Sequence, residues 1–496
     1  MKLNNFLRKP IILVAGSMLM LNSCKKSFIE VPVEGATEEE QFWQTPDDAR
    51  KGVSAIYANL RSWPQVAFAA ISIESLGSDD SEKGSATTDA SFLNDFDNFS
   101  VGPSSANSSG QIYDFWKGQY LEIQYCNQVL DNVPGISMDE TLKNRYLAEA
   151  KFVRAYCYFR LVRAFGDVPL RLKTVDPNNT AEFNIPRTPK EQVWAAIESD
   201  LNDAAAGLPQ AYGAEDLGRV TKGAALSLHA KVAMYQGHWA DVLTYTNQVM
   251  GMGYSLFSDF EKQFRVPNEN NSESIFEIQC QYVPGNCDAS SSQYSQIQGV
   301  RGSAGGGWGF HVPTEELANS FETDDPRKDA TIIFRGETTP QGDAIPVSGD
   351  NPRYNQKTYV PFANYPGSCN EGADQNIRVI RYAEVLLMNA EAANEQNNTT
   401  LALSSLNAVR DRARGTNPLT VLPPVTTTDK NQLRDAIWRE RRSELAMEYD
   451  RYFDVIRQGR GEAIFGPKGW RPNKNEVWPI PQAEIDISGG LLTQNP

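Results

Sequence analysis

Ala49, Val53, Ile56, Tyr57 and Leu60 recur at the three- and four-residue spacing of one helix face, directly after Thr45-Pro46-Asp47-Asp48. Thr45 supplies a side-chain cap, and Pro46 suits a first helical turn because its missing N–H would be unbonded there anyway. The same spacing predicts helices over 111–133 and 139–165, the second stopped by Gly166-Asp167-Val168-Pro169. Two further stretches, 224–252 and 382–413, share one design: a helix with small residues on one face, a short polar turn, and a second amphipathic helix. Small residues let two antiparallel helices approach closely, which is the logic of a tetratricopeptide repeat. Residues 139–165 with 188–206 supply another pair, and 45–61 with 111–133 a fourth. The copies are too far apart in sequence for a continuous solenoid. The expected fold is therefore mainly α, with about four tetratricopeptide-like helix pairs as a scaffold and a loop-rich side containing short strands.

Two insertions break the helical pattern. Residues 77–110 are rich in Gly, Ser, Asp and Asn and read as a long loop. Residues 265–376 are the larger insertion. Ser274 to Gln279 alternate like a strand, and Thr331-Ile332-Ile333-Phe334 is a second strand candidate. Between them lies Gly/Ser-rich sequence carrying Tyr282, Tyr294, Trp308 and Phe310, then Tyr354, Tyr359, Phe362 and Tyr365. Set in polar sequence, these rings read as surface features rather than as a core.

The N-terminus changes the picture from fold to address. Lys2, Arg8 and Lys9 precede a short apolar run from Ile11 to Leu21, then Leu21-Asn22-Ser23-Cys24. A basic start, a short apolar core and a small residue before the cut make a secretory signal, and the run is too short to span a bilayer. A cysteine after the small residue resembles a bacterial lipobox, from which Asn22 is a modest departure. Its chemistry would be lipidation of Cys24 and removal of residues 1–23. Residues 24–36 then read as a polar, extended tether, and 37–496 as the folded body.

Charge sharpens this. The full chain carries −15, and loss of the signal makes it three units more negative. So acidic a surface disfavours nucleic acid and anionic membrane faces, which leaves attachment to the lipid. Export permits disulfides. Cys280 and Cys287 are the best candidate pair, while Cys126 and Cys157 fall in helical patterns and read as apolar core. His229, His238 and His311 are scattered singly, and no Cys/His spacing suggests zinc.

No catalytic or cofactor motif stands out. There is no nucleophile elbow, no Walker loop and no zinc-protease helix motif, and the glycine run 302–307 does not sit between a strand and a helix as a phosphate cradle would. Asp79, Asp80 and Glu82 form an acidic cluster that could serve a glycosidase or hold calcium; the plainer reading is a solvated loop. Glu440, Glu444 and Glu448 follow one another at i, i+4, i+8, with Arg451 and Arg457 nearby. That pattern fits an anion site or, more simply, an ion network locking the last helix to the scaffold. The aromatic loops suit recognition, since Tyr and Trp offer stiff contact area to the C–H faces of sugar rings.

An ordered series of motifs then resembles the SusD/RagB family, the surface glycan-binding lipoproteins of Bacteroidetes. The series runs from Ser27-Phe28-Ile29-Glu30 through Ser78-Asp79-Asp80, Trp116-Lys117 with Tyr120 and Asn127, and Ala148 to Tyr156 ending in Phe165-Gly166-Asp167-Val168-Pro169. It continues through Glu273 to Glu277, Asp325-Pro326-Arg327, Arg381 to Met388, Arg441 to Asp454, Val477-Trp478-Pro479 and the closing Gln494-Asn495-Pro496. The resemblance implies four tetratricopeptide-like pairs, a glycan ligand, no catalysis and no cofactor. It also implies a partner, a SusC-like TonB-dependent transporter of the outer membrane. Peptide capture is the variant within the family, and a surface glycosidase the alternative outside it. By position and chemistry the expected ligand residues are Trp308, Phe310, Tyr282, Tyr294, Tyr354 and Tyr359, with Asp79 and Asp80.

Overall fold

The capping signals read from the sequence operate as written in a computed structural model, which describes residues 42–102, 108–176, 179–283, 292–302, 306–364 and 373–496. Cys24, the tether, Tyr365 and the Cys280–Cys287 pairing lie outside the described residues. Residues Thr45–Pro496 form one compact unit.

Ten helices make the scaffold: α1 Pro46–Asn59, α2 Ser108–Asn132, α3 Glu140–Phe165, α4 Lys190–Gly207, α5 Lys222–Gln236, α6 Trp239–Met250, α7 Tyr382–Glu395, α8 Thr399–Arg414, α9 Lys430–Leu445 and α10 Arg451–Arg457. Thr45 and Asp48 close a reciprocal capping box at the start of α1. Asp139, Thr221, Asn398 and Asp429 cap α3, α5, α8 and α9 by accepting backbone N–H groups two or three residues on. The expected pairs form: α1 with α2, α3 with α4, α5 with α6 and α7 with α8. The interruption in sequence does not carry into space, because α2 also packs on α3, α4 on α5, and α6 on α7. The pairs therefore stack in a row, and the insertions leave it as excursions. The small-residue design explains why α5 and α7 are buried almost all round: Ala383, Ala390 and Ala393 let α7 sit against Leu406 and Val409 of α8 and Leu433 and Ile437 of α9.

Six short strands form three two-stranded antiparallel sheets: β1 Ser81–Gly84, β2 Ser274–Ile278, β3 Phe310–Pro313, β4 Ile332–Phe334, β5 Arg353–Asn355 and β6 Ile377–Arg381. β2 pairs with β6, with Ser274 opposite Arg381, and so clips the two ends of the large insertion together. β1 pairs with β3, with Ser81 opposite Pro313, and lays the first insertion on the second. Residues 77–110 are thus not one long loop; they hold a strand and two short helical turns, with Leu93 and Phe96 fully buried.

The large insertion has a core of its own. Val300, Val312, Ile333, Ile345, Tyr354 and Tyr359 form one buried cluster, with Phe362 against it. This corrects the expectation of surface rings there.

The three acids near the C-terminus form an ion network, but not with the arginines expected. Glu440 meets Arg327 and Arg410, Glu444 meets Arg327, Arg381 and Arg412, and Glu448 meets Arg381 and Lys357. α9 ends at Leu445, so Glu448 lies beyond the helix, between Met447 and Tyr449, both at positive φ. Arg451 turns to Asp79, and Arg457 to Glu391 and Asp454.

Candidate functional site

Trp308 is set by its glycine neighbours. A Cβ on Gly307 would lie 2.2 Å from the Gly299 carbonyl carbon, so only glycine fits that crossing. Gly309 has φ +72, and a Cβ there would meet Asn351 at 2.6 Å and Arg301 at 2.8 Å. Between these two tight contacts the Trp308 N–H donates to the Gln296 carbonyl at 2.8 Å, while Ser85 N–H and Asn351 Nδ2 both donate to the Gly309 carbonyl at 2.7 Å. The backbone is pinned from three sides, and the indole remains half-buried.

Trp63 reaches the same place from the segment that follows α1, ahead of the first insertion. It opens a short helix, Trp63–Val66, whose Pro64 lies on Gly118 of α2, where a Cβ would be 2.6 Å from the proline ring. The two indole centroids are 6.2 Å apart at 50°. Phe68 packs against all three neighbours, 5.5 Å from Trp63, 6.1 Å from Trp308 and 4.8 Å from buried Phe310. Trp63 is 37% exposed. The result is a pair of partly exposed indoles resting on Phe68, which is itself backed by Phe310. Such a surface can stack on the apolar face of a ring-shaped ligand.

Charged groups beside it cancel. Arg301 lies 2.6 Å from Asp89 and 3.5 Å from Asp350, and also donates to Ser85 Oγ and, at 3.4 Å, to the Trp308 carbonyl. Hydrogen bonding from Ser85, then from Arg301, holds the Asp89 carboxyl below its usual range. Lys83 donates to the carbonyls of Gly84, Ala86 and Asp89 at 2.7, 2.8 and 2.9 Å and sits 5.6 Å from the Phe310 ring centre.

The other expected residues divide by burial. Tyr282 is half-buried, and its N–H donates to Asp374. Phe310 packs on Phe68, which in turn carries the indoles. Tyr294, Tyr354 and Tyr359 are core: Tyr294 packs on Tyr449 at 5.8 Å, and the Tyr359 hydroxyl bonds with Thr339 and Asp343. Asp79 and Asp80 are buried as well, which corrects the solvated acidic loop. Arg451 and Arg442 bind Asp79, and Arg442 Nε donates to Asp80 Oδ1 at 2.7 Å. Glu82 points instead to Arg353, at 3.5 Å. Carboxylates held by guanidinium groups are poor candidates both for calcium ligation and for catalysis. Sequence reasoning missed Trp63 and Phe68. Their signal was present: two large rings in a short stretch off the helical period, just after α1 ends.

The second half of the chain, residues 272–496, matches the family model described as SusD family, and residues 65–234 match one described as starch-binding associating with outer membrane. A SusD-like protein of Formosa agariphila is 27% identical, over 97% of this chain and 98% of its own length. One from Bacteroides ovatus is 28% identical, over 91% of this chain and 82% of its own. Among solved structures, a laminarin binding SusD-like protein superimposes with a TM-score of 0.79 at 28% identity, covering 91% of this chain and 99% of its own.

Proposed function

The chain belongs to the SusD/RagB family, and from that premise we propose that it is a non-catalytic cell-surface lipoprotein that captures an oligosaccharide and delivers it to a SusC-like TonB-dependent transporter. The observation that carries the binding step is the Trp63–Trp308 pair, raised on Phe68 and Phe310. Laminarin binding by a structural relative at 28% identity supports a glycan as the ligand class. The balanced rim of Arg301 and Lys83 against Asp89 and Asp350 supports an uncharged glycan at this site. Lipidation at Cys24 would hold the body at the outer membrane, and the family model's association with that membrane supports this placement.

Titration calorimetry against neutral oligosaccharides, with laminarin fragments included and peptides as the alternative, is the direct test. Binding of a glycan that Trp308→Ala and Trp63→Ala each weaken by roughly thirty-fold, about 2 kcal/mol for a centrally placed aromatic, is the expected result. Binding of peptides alone, or glycan binding indifferent to both substitutions, would overturn it.

A further inference from the structure

A second groove lies on α2, away from the tryptophan pair, and uses residues that the proposed function leaves idle. Pro64 seats the tryptophan site on Gly118. The groove is lined by Tyr113, Trp116, Tyr120 and Gln124, whose direction from the helix axis is on the order of 120° away from that of Gly118. Phe183 closes its far wall, and the cavity measures about 400 Å³, within the range of small-molecule sites.

Four aromatic residues line it: Tyr113 half-buried and Phe183 exposed, with the rings of Trp116 and Tyr120 largely buried behind them. Trp116 and Tyr120 meet at 5.0 Å and 46°. Phe183 and Leu121 are 36% and 41% exposed, apolar surface that no other described element covers. Three charged groups also line it: Arg171, Lys117 and Glu484.

The balance of those charges is unusual for this chain. Arg171 lies between the Tyr120 and Phe183 rings, 4.9 and 5.1 Å from their centres. Among the described residues its guanidinium makes one hydrogen bond, from Nη2 to the Phe183 carbonyl at 2.7 Å, and Nε is buried with no partner. Neither Arg171 nor Lys117 has an ion-pair partner within 4 Å among the described residues, although the protein as a whole carries −15. Glu484 is the one acid lining the groove; burial raises its carboxyl, while Arg171 and a hydrogen bond from Trp116 hold it in check. The groove thus offers flat apolar walls, two cations without an ion-pair contact among the described residues, and one acceptor.

We propose that this groove is a second ligand site, for a carboxylate-bearing sugar such as a uronic acid residue. The ring would lie against the aromatic walls, the carboxylate would meet Arg171 and Lys117, and a hydroxyl would donate to Glu484. The unspent N–H groups of Arg171 match a carboxylate in geometry as well as in charge.

The test is titration calorimetry on the full chain with an oligogalacturonide or oligoglucuronide, a matched neutral oligosaccharide, and a peptide with a free C-terminus. The expected result is acidic-sugar binding that weakens with salt, falls at least tenfold in Arg171→Gln and in Lys117→Gln, and stays within twofold in Trp308→Ala. Lys117 is exposed, so its substitution keeps the test valid if Arg171→Gln does not fold. An acidic sugar bound no more tightly than its neutral match, a preference for the peptide, or dependence on Trp308 rather than Arg171 and Lys117 would each overturn the site. Trp308-dependent binding of a neutral glycan is a separate readout, so this proposal and the one above can fail independently.

Discussion

Arg451 grips Asp79 through two parallel hydrogen bonds of 2.7 Å, Nε to Oδ1 and Nη2 to Oδ2, across 372 positions of sequence. The pair is buried, and it ties the start of the first insertion to α10. Arg442 adds a second guanidinium, 2.8 Å from Asp79 and 2.7 Å from Asp80. Desolvation alone would raise the Asp79 carboxyl; Arg451 and Arg442 hold it below its usual range.

Removing Arg451 leaves the buried Asp79 carboxylate with Arg442 as its remaining guanidinium, 2.8 Å away. Arg451→Met is expected to cost about 1.5–3 kcal/mol, the range for a hydrogen bond to a charged group, measured as a lower denaturant midpoint. Adding Asp79→Asn should recover part of the loss. A double variant as unstable as the sum of the two singles would show that the pair is not coupled.

Gly307→Ala should damage recognition more than folding. Its Cβ meets the Gly299 backbone at 2.2 Å, so the backbone that carries Trp308 must shift relative to Trp63. Glycan affinity is expected to drop at least tenfold, while the melting temperature falls by only a few degrees. Gly110→Ala, on α2 with nothing within 4 Å of the new methyl, is the control. It should leave affinity intact and raise stability by about 0.4–1 kcal/mol. Unchanged affinity in Gly307→Ala would mean that the tight crossing does not position the indole.

Glu122 predicts a pH effect. It is fully buried on α2, accepts one hydrogen bond of 2.6 Å from Asn59, and has no partner for Oε1. Burial pushes its carboxyl up to about 8 from 4.5. A group raised on folding stabilises fully below its unfolded value, and that contribution is lost as pH climbs through its folded value. The wild type should therefore lose on the order of a few kcal/mol between pH 4.5 and 8 through this residue. Glu122→Gln, which keeps an acceptor for Asn59, should match the wild type near pH 4.5 and exceed it at pH 8. Parallel stability curves for the two proteins would contradict this.

Cys24→Ala separates address from binding. The variant is expected to leave the membrane fraction on cell fractionation, while the purified body keeps its glycan affinity. Retention in the membrane without Cys24 would count against a lipid anchor.

The helices were legible because their signals are local. Thr45 with Asp48, and the spacing of Ala49, Val53 and Ile56, need only a few residues of context. β2 showed through its alternating apolar positions, and β4 as a short apolar run. β1 did not, since Ser81-Glu82-Lys83-Gly84 has no apolar face and is a strand only because Phe310 to Pro313 lie beside it. The buried tyrosines were hidden for a related reason. Tyr354 and Tyr359 flank Asn355, Gln356, Lys357 and Thr358, which look like surface but are all buried. Lys357 is tolerated there because it donates to Glu448 at 2.7 Å and to the Glu444 carbonyl at 2.9 Å. A polar stretch becomes core when its partners come from elsewhere in the chain, and a single sequence does not display those partners. Of the candidate site, Trp308 was legible from its glycine-rich setting, whereas its pairing with Trp63, which follows α1, depends on a long-range contact.

That contact sets an order of events. The β1–β3 pairing joins Ser81 to Pro313, and the Asp79 anchor waits for Arg451. Pairings of such long range are slow to form, because a long loop must close before they stabilise anything. The stacked helix pairs can assemble from neighbours as the chain emerges. The tryptophan surface cannot, and a chain stopped before its last helices would have its scaffold largely in place but no finished surface to present to a ligand.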